Sequence, residues 1–451
     1  MVLRFAFVLM AVLPLRAQDE DYKIFKDPPR LFLTSQRAKR LQRETTRESI
    51  RWRQFHSLAE SQVDFPEPGF AWSLHYAAAA DAPSANAAIA WAMKPESSDP
   101  RQLAIVYDWC GNAMNAAQKS AIGAKLRKAI AAPPATKIDP LQGQVYAAVA
   151  LSEEASADSE KIVKHTVVDW WRKRIAPALR DGKPAIRREE LPALFEIMHL
   201  IQDSTQIDLR EDARAFFKNL PAWHMLSHYP APLRTPENQY RVPVFTGGGE
   251  PDIASAVLSR AVELMMVAYD NNAIENQFLQ GYLIQDRFLL RSAYGMPYEF
   301  LWANPYQPGL PFEKMDPFLH DAAGGRFFVR SSWEEDADWF GFFDGKMQYF
   351  GADGQVRQIR QDSLEKPIEI GGVTILLGRE EMKIPLPASA AEEGAHYFIL
   401  GMSPRTAFDI ETDDEEMYEA ASDASGILSV AVTKGAQGRV WIHKPGRGLR
   451  P

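Results

Sequence analysis

The sequence predicts a helical domain over residues 18–301 followed by an antiparallel β domain over residues 324–451. Up to about residue 300, apolar residues recur at the spacing of packed helices. From about residue 324 they alternate with polar residues, and turn residues interrupt the pattern at short intervals. The segment between, residues 302–323, opens with several prolines and a glycine and predicts a linker. Because helices precede strands rather than alternating with them, we expect separate layers instead of an interleaved α/β sheet.

Residues 1–17 are typical of a secretory signal peptide. Arg4 precedes an apolar run over residues 5–13, and Ala17 is a small residue at a plausible cleavage point. The alternative is a short membrane anchor, but a helix needs about 20 residues to cross a bilayer. We therefore expect an exported protein, periplasmic or secreted, with no membrane partner once the signal is removed.

Composition excludes several classes of protein. The formal charge of −8 argues against a nucleic-acid binder that relies on a basic surface. Cys110 is the single cysteine, so no internal disulfide can form and the core alone must hold the fold. Its apolar neighbours favour a small buried side chain, and a reactive thiol is the alternative.

Helix boundaries are marked along the helical domain. Pro28 and Pro29 interrupt regular structure, after which Thr34 or Ser35 can cap the first helix. Asn115 can cap an amphipathic helix that ends at Pro133-Pro134. The pattern permits either a closed ring of helical hairpins or an open solenoid.

The β domain is predicted to begin with a hairpin over residues 326–345, "RFFVRSSWEEDADWFGFFDG". Its acidic tip should face solvent, with Trp333 and Trp339 facing inward. The later strands predict an all-antiparallel sandwich or curved sheet. The acidic run at residues 411–426 predicts a solvated loop or an edge strand that charge keeps from pairing.

Three stretches resemble the heparinase II/III-like polysaccharide lyases: "PPRLFLTSQRAKRLQRE", "LAIVYDWCGNAMNAAQKSAIGAKLRKAI" and "RSSWEEDADWFGF". The resemblance implies an (α/α) toroid packed on an antiparallel β-sandwich, with a substrate groove between them. It also implies β-elimination on an acidic, uronic-acid polysaccharide. That reaction needs the carboxylate neutralised, a base for the C5 proton and an acid for the leaving oxygen.

The family's catalytic positions are not matched here. Gln142 or Gln144 stands near the family's inner-helix Asn and is a candidate for substrate binding. Residues 181–200 lack the family's Tyr, and residues 346–363 lack its His. The alternative function is therefore a non-catalytic glycan-binding or structural envelope protein of the same ancestry.

The best remaining candidates lie in residues 221–250, a loop-prone stretch of the kind that often carries functional groups. His228 could act as base, Tyr240 as acid and Arg241 as a carboxylate clamp. His224 and Tyr229 are further candidates for substrate binding. Alternatively, the two histidines, four residues apart, simply pack on one helix face. No HExxH frame or third ligand accompanies them, so we predict neither a metal nor a cofactor.

Two criteria follow from the chemistry. A lyase groove should hold a Tyr or His within hydrogen-bond reach of an Arg, Asn or Gln. A glycoside hydrolase would instead need two carboxylates that face each other, which Glu189, Glu190 and Glu196 on one helix cannot provide by themselves. The absence of a G-x-S-x-G sequence gives no support to serine hydrolysis by the common route.

Overall fold

The computed structural model describes residues 20–236, 239–247, 249–286, 290–360, 364, 366–413 and 417–446. A helical N-terminal region is followed by a C-terminal region rich in antiparallel strands, which confirms the predicted order of the two classes. The predicted signal peptide, residues 1–17, lies outside the described residues. Within them, no helix has both the length and the apolar character needed to cross a bilayer.

The helical region is made of α-helices joined by short connections. They are α1 (Ser35–Thr46), α2 (Ile50–Glu60), α3 (Pro68–Ala79), α4 (Ala82–Met93), α5 (Pro100–Trp109), α6 (Ala116–Ala131), α7 (Ile138–Ala150), α8 (Ser156–Lys164), α9 (Ala176–Arg180), α10 (Leu191–Thr205), α11 (Arg214–Leu226), α12 (Ile253–Tyr269), α13 (Ile274–Gln285) and α14 (Gly295–Trp302). Helical turns over His165–Ile175 join α8 to α9.

Side-chain caps fix the helix starts that the sequence indicated. The Thr34 hydroxyl accepts a hydrogen bond from the Arg37 amide at 3.2 Å, so Thr34 rather than Ser35 caps α1. Asn115 and Gln118 form a reciprocal capping box at the start of α6, with both bonds at 2.9 Å. These caps satisfy amide groups that the first helical turn leaves unpaired.

Six helices form the interior of this region. Each packs against the next in the order α3, α5, α7, α10, α12 and α14, and α14 also packs against α3. Every residue of α5 from Arg101 to Trp109, and of α7 from Gly143 to Ala150, is buried. A helix that is buried on all faces must be surrounded by other elements. Helices such as α4 and α6 pack outside and cover these six.

In the described residues, the strands form three sheets and one short ribbon. The ribbon pairs β1 (Leu233–Arg234) with β2 (Gln239–Tyr240). The first sheet has the order β3 (Phe318–Asp321), β4 (Arg326–Arg330), β5 (Trp339–Phe343), β6 (Lys346–Phe350) and β7 (Val356–Ile359). The second sheet has the order β14 (Leu428–Val432), β11 (Ala395–Leu400), β9 (Val373–Leu377) and β8 (Ile368–Ile370). The third sheet has the order β10 (Met382–Pro385), β15 (Arg439–His443), β12 (Ala407–Thr412) and β13 (Met417–Ala421).

The predicted first hairpin is present as β4 and β5, with Val329 opposite Phe340. Trp339 is fully buried, whereas Glu334 and Asp336 at the tip are exposed, as expected. One strand of the first sheet precedes this hairpin in the chain. This strand, β3, lies inside the segment predicted as a linker and pairs antiparallel with β4. The sheet therefore begins before the alternation of the sequence makes it visible.

The second sheet lies between the other two. Its residues share one apolar core with the first sheet, which includes Phe327, Phe340 and Phe398. They share another with the third sheet, which includes Ile399 and Phe408. Because neighbouring residues of a strand point to opposite faces, Phe398 and Ile399 of β11 serve the two cores in turn.

The prediction of a wholly antiparallel β domain is wrong at one place. Strands β9 and β11 run parallel, with Ile375 opposite Phe398. The chain leaves β9 for β10 in the third sheet and returns through a short helix, α15 (Ala390–Glu393). Such a crossover brings the chain back in the same direction, and a hairpin cannot do so.

Apolar side chains join the helical and β regions. Leu226, Tyr229 and Val242 pack with Trp339 and Phe350 in one cluster. The Trp339 indole N–H also donates to the Leu226 carbonyl at 2.8 Å. A buried indole with its donor satisfied gives a large contact area without an unpaired polar group.

Candidate functional site

A cleft of about 650 Å³ lies between the two regions. We call it the interdomain cleft. Its helical side is formed by residues 184–189, Trp223 and the first turns of α12, and its β side includes Arg326, Phe328 and Phe343. Loops and helix starts thus meet strands at one concavity, which is where binding sites are most often found.

Cations and an indole ring dominate one wall of the interdomain cleft. The Trp223 ring lies 5.1 Å from the guanidinium carbon of Arg188 and 4.8 Å from that of Arg326. Arg326 is paired with Asp321 at 2.6 Å. In the described part of the chain, Arg188 instead donates to neutral acceptors: the Ser227 carbonyl at 3.1 Å, the Ser227 hydroxyl at 3.0 Å and the Ser259 hydroxyl at 3.3 Å. Burial and the nearby Arg326 lower the pKa of Arg188 to about 10, so the group stays cationic at neutral pH.

Behind this wall, His224 and His228 face one carboxylate. The Glu263 Oε1 atom lies 3.7 Å from His224 Nδ1 and 3.7 Å from His228 Nε2. Both histidines are buried, and burial is the main reason that their pKa values are lowered, that of His224 to about 4. The alternative in which the two histidines pack on one face of the helical segment agrees with this arrangement.

Arg241 is part of the same buried charge network. Its guanidinium donates to both carboxylate oxygens of Asp286, at 2.9 and 2.7 Å, and to the Pro230 carbonyl at 2.7 Å. Asp286 also accepts from Arg260 at 2.5 Å, and Arg260 lies 2.8 Å from Glu263. Asp286, Arg260 and Glu263 therefore connect Arg241 to the two histidines. The hydrogen bonds of the Arg241 guanidinium to Asp286 and Pro230 point into the protein.

The predicted tyrosines lie at separate positions. Tyr229 donates to the Gln348 Oε1 atom of β6 at 2.8 Å, which ties the helical region to the first sheet. Tyr240 is buried in the short ribbon opposite Leu233. Of the candidates from residues 221–250, the structure brings His224, His228 and Arg241 into one network and leaves the tyrosines outside it.

Gln142 and Gln144 point in different directions. Gln144 is buried, accepts from the Ala135 amide at 2.8 Å and donates to the Pro133 carbonyl at 3.0 Å, so it fixes the loop before α7. Gln142 donates to the Glu196 carboxylate across the interior of the helical region. Only Gln142 therefore faces a cluster of polar groups.

That cluster gathers at the starts of the interior helices, and we call Glu67, Arg101, Gln142, Glu196 and Tyr298 the mouth cluster. Glu67 accepts hydrogen bonds from Arg101 and, at 2.8 Å, from the Tyr298 hydroxyl. Arg101 also donates to Glu196 at 3.4 Å and to Tyr298 at 3.3 Å. Two carboxylates from different helices thus share one guanidinium, and a phenol lies within reach of an arginine.

Burial and neighbouring charges shift the pKa values of groups in and around the mouth cluster. Burial raises the pKa of Glu196 despite the opposing effect of Arg101. Tyr294, at the start of α14, is partly exposed, and burial together with Glu67 raises its pKa to about 12. The charge of Asp252, which lines the interdomain cleft, makes a smaller contribution that also raises the pKa of Tyr294.

The residues of the mouth cluster other than Gln142 and Glu196 were not identified from the sequence. Glu67 and Arg101 each stand beside a proline that begins a helix, Pro68 and Pro100. Proline at a helix start is a visible signal. The prolines show where α3 and α5 begin, but they do not show that the starts of these helices lie close together in the fold.

Within the described ranges, no group of three or more His, Cys, Asp and Glu side chains is arranged to hold a metal ion. A scan of protein-family models found none that matches this sequence, and a search of curated proteins found no significant match.

Proposed function

We propose that the protein is an exported carbohydrate-active protein, similar to the heparinase II/III-like lyases, which binds an acidic polysaccharide in the interdomain cleft and cleaves it by β-elimination. The observation that carries the proposal is the pair of guanidinium groups at the cleft wall: the guanidinium carbons of Arg188 and Arg326 lie 5.1 and 4.8 Å from the Trp223 ring. Cations pair with the carboxylates of a uronic-acid polymer, and an indole face packs on the apolar face of a sugar ring.

The proposal includes an (α/α) toroid for the helical region and a sandwich for the β region. The circular order of packing from α3 through α14 and back to α3 supports a ring. The shared cores of consecutive sheets support a layered sandwich. In such a ring the starts of the inner helices form one open end, where the mouth cluster lies.

The reaction assigns roles to residues near the cleft. Arg188, whose hydrogen-bond acceptors among the described residues are neutral, neutralises the uronate carboxylate and acidifies the C5 proton. Tyr294, which is protonated at neutral pH and whose pKa responds to the charge of Asp252 in the cleft lining, is assigned as the acid for the leaving oxygen. Removal of the C5 proton falls to a carboxylate that lines the cleft, such as Asp252 or Glu189.

Two other functions are each favoured by one observation. The engagement of His224, His228 and Arg241 with other groups of the protein favours a non-catalytic glycan-binding or structural envelope protein. The meeting of Glu67 and Glu196 on Arg101 favours glycoside hydrolysis, which uses two carboxylates with separated pKa values.

One set of incubations separates these functions. The purified protein is mixed with hyaluronan, chondroitin, heparan or alginate, and the products are followed by ultraviolet absorbance and by reducing-end assay. Elimination gives new reducing ends and the absorbance of an unsaturated uronate. Hydrolysis gives reducing ends alone, and a binding protein gives neither signal while still retaining the polymer in affinity electrophoresis.

Variants test the cleft itself. Trp223→Ala and Arg188→Gln should each weaken binding of the retained polymer by about 5- to 30-fold, because a cation–π or charge-assisted contact contributes about 1–2 kcal/mol. Arg53→Gln is the matched control, because Arg53 is exposed on α2 and does not line the cleft. Equal binding by wild type and both cleft variants would refute the proposed binding site. Amino-terminal sequencing of the protein recovered from an exporting host tests the signal peptide.

A further inference from the structure

We propose that Ser259 is a second catalytic centre in the interdomain cleft: a serine nucleophile, activated by His228, that cleaves O-acyl esters. The natural ester would be an acyl group on the saccharide bound in the same cleft, and this part rests on the proposed function. The esterase chemistry itself stands on the geometry of four residues and can be tested with a small ester.

Ser259 has the position that a nucleophile requires. It lies on α12, lines the interdomain cleft and is 5% exposed, and its hydroxyl is held by Arg188 and His228. The Ser259 Oγ atom lies 3.2 Å from His228 Nε2. This is the reach expected between a nucleophile and its general base.

The tautomer of His228 is set by a backbone carbonyl. His228 Nδ1 lies 2.5 Å from the His224 carbonyl oxygen, which can only accept, so Nδ1 carries the proton. In the neutral ring Nε2 is then an acceptor, and the Ser259 hydroxyl must donate to it. Burial, Arg188 and His224 lower the pKa of His228, so the ring is neutral before the reaction and its Nε2 atom can accept the hydrogen bond from Ser259.

Two charged groups flank the pair. Arg188 donates to the Ser259 oxygen at 3.3 Å, so a fixed cation stands where negative charge develops during attack on a carbonyl. Glu263 lies 3.7 Å from His228 Nε2, where it stabilises the imidazolium that forms when the ring takes the proton. Arg188 thus has the position of an oxyanion stabiliser, and Glu263 that of the carboxylate partner of the histidine. Glu263 approaches the Nε2 atom of His228, whereas the Nδ1 atom is bonded to the His224 carbonyl.

The reaction follows from these positions. Ser259 Oγ attacks the ester carbonyl while its proton moves to His228 Nε2, and a C–O bond forms. The carbonyl oxygen becomes an oxyanion beside Arg188, then collapses to expel the alcohol, which takes the proton from His228. Water, deprotonated by the same nitrogen, attacks the acyl-serine and releases the carboxylic acid, so Ser259 is regenerated.

A comparison within the chain shows why a Ser–His contact alone is insufficient. The Ser84 Oγ atom lies 2.8 Å from His75 Nδ1, but Ser84 also donates to the Asp81 carboxylate at 2.6 Å. Its proton is therefore already committed to Asp81, and the pair does not line the interdomain cleft. Ser84→Ala is accordingly a matched control for Ser259→Ala.

The experiment uses the full chain and two probes. A fluorophosphonate reagent should label the wild-type protein, and peptide mapping should place the adduct on Ser259; the initial rate of p-nitrophenyl acetate hydrolysis is measured in parallel. We expect Ser259→Ala to lose labelling and at least 100-fold of the hydrolysis rate, His228→Gln to lose a similar factor, and Ser84→Ala to keep both.

Mapping the adduct on the wild-type protein requires no variant, so misfolding of Ser259→Ala cannot hide the outcome. No adduct, or an adduct on another residue, would overturn the proposal. If the wild-type protein is labelled at Ser259 but binds no polymer, the proposed function is refuted and the esterase inference stands. If it binds the polymer but is not labelled, the esterase inference is refuted and the proposed function stands.

Discussion

Replacing Asp286 by alanine tests the interpretation that Arg241 is a structural residue of a buried network. Asp286 is 8% exposed and accepts three hydrogen bonds from two guanidinium groups, Arg241 and Arg260. Removing the carboxylate leaves Arg260 buried and Arg241 half-buried without this partner, with Glu263 as the remaining acidic partner of Arg260. Breaking a buried ion pair in this way costs about 3–5 kcal/mol.

That free energy corresponds to roughly two to four orders of magnitude in the unfolding equilibrium constant. The assay is urea unfolding of the Asp286→Ala variant and wild type, followed by tryptophan fluorescence, with the midpoint and slope fitted separately. Arg53→Gln, at an exposed position, is the control and should change the free energy of unfolding by less than about 0.5 kcal/mol.

The pH dependence gives a second check. Burial raises the pKa of Asp286, but Arg260 and Arg241 outweigh it and hold the pKa below its usual value. The stabilisation by this carboxylate is therefore fully present above the unfolded pKa of about 3.9 and is lost as the pH falls through the lower folded value. The gap between wild type and Asp286→Ala should narrow below about pH 4. A gap under about 1 kcal/mol at pH 7 would refute the reasoning and restore Arg241 as a candidate carboxylate clamp.

Three further predictions concern other parts of the chain. Burial raises the pKa of the Cys110 thiol to about 11, so Ellman's reagent at pH 8 should react with it only after unfolding. Gly281→Ala should lower the free energy of unfolding, measured by urea titration, by about 1–3 kcal/mol or more, because a Cβ atom at Gly281 would lie 1.9 Å from the Leu310 carbonyl oxygen. Gly111→Ala is the control and should have little effect, because the space around Gly111 is open. The pKa of His224 is lowered to about 4 in the folded protein, so the unfolded chain binds a proton at this residue at a higher pH than the folded chain does. As the pH is lowered from about 6.5 to about 4, the free energy of unfolding should therefore fall, and His224 should contribute at most about 1.4 kcal/mol per pH unit to this decrease. The His224→Gln variant should lack that contribution.

The sequence by itself determined the order of the two regions and many helix starts. These are local properties: the spacing of apolar residues selects helix or strand, and a cap such as Thr34 or Asn115 acts within one turn. The first hairpin was predictable for the same reason, since its pairing involves neighbouring segments. The parallel pair of β9 and β11 was not predictable, because pairing between segments that are not consecutive in the chain leaves no local pattern. The early strand β3 was missed although it pairs with the next strand, because its four residues directly follow the prolines of the predicted linker.

Only the tertiary structure decided which polar residues meet. The sequence placed His228 and Arg241 in one loop-prone stretch, but their partners Glu263 and Asp286 come from later in the chain. Ser259 reads as an ordinary helix residue until the fold sets it against His228. A local pattern records which face of a helix is apolar, whereas the approach of two helices depends on packing of the whole core, and that packing positions the groups of a site.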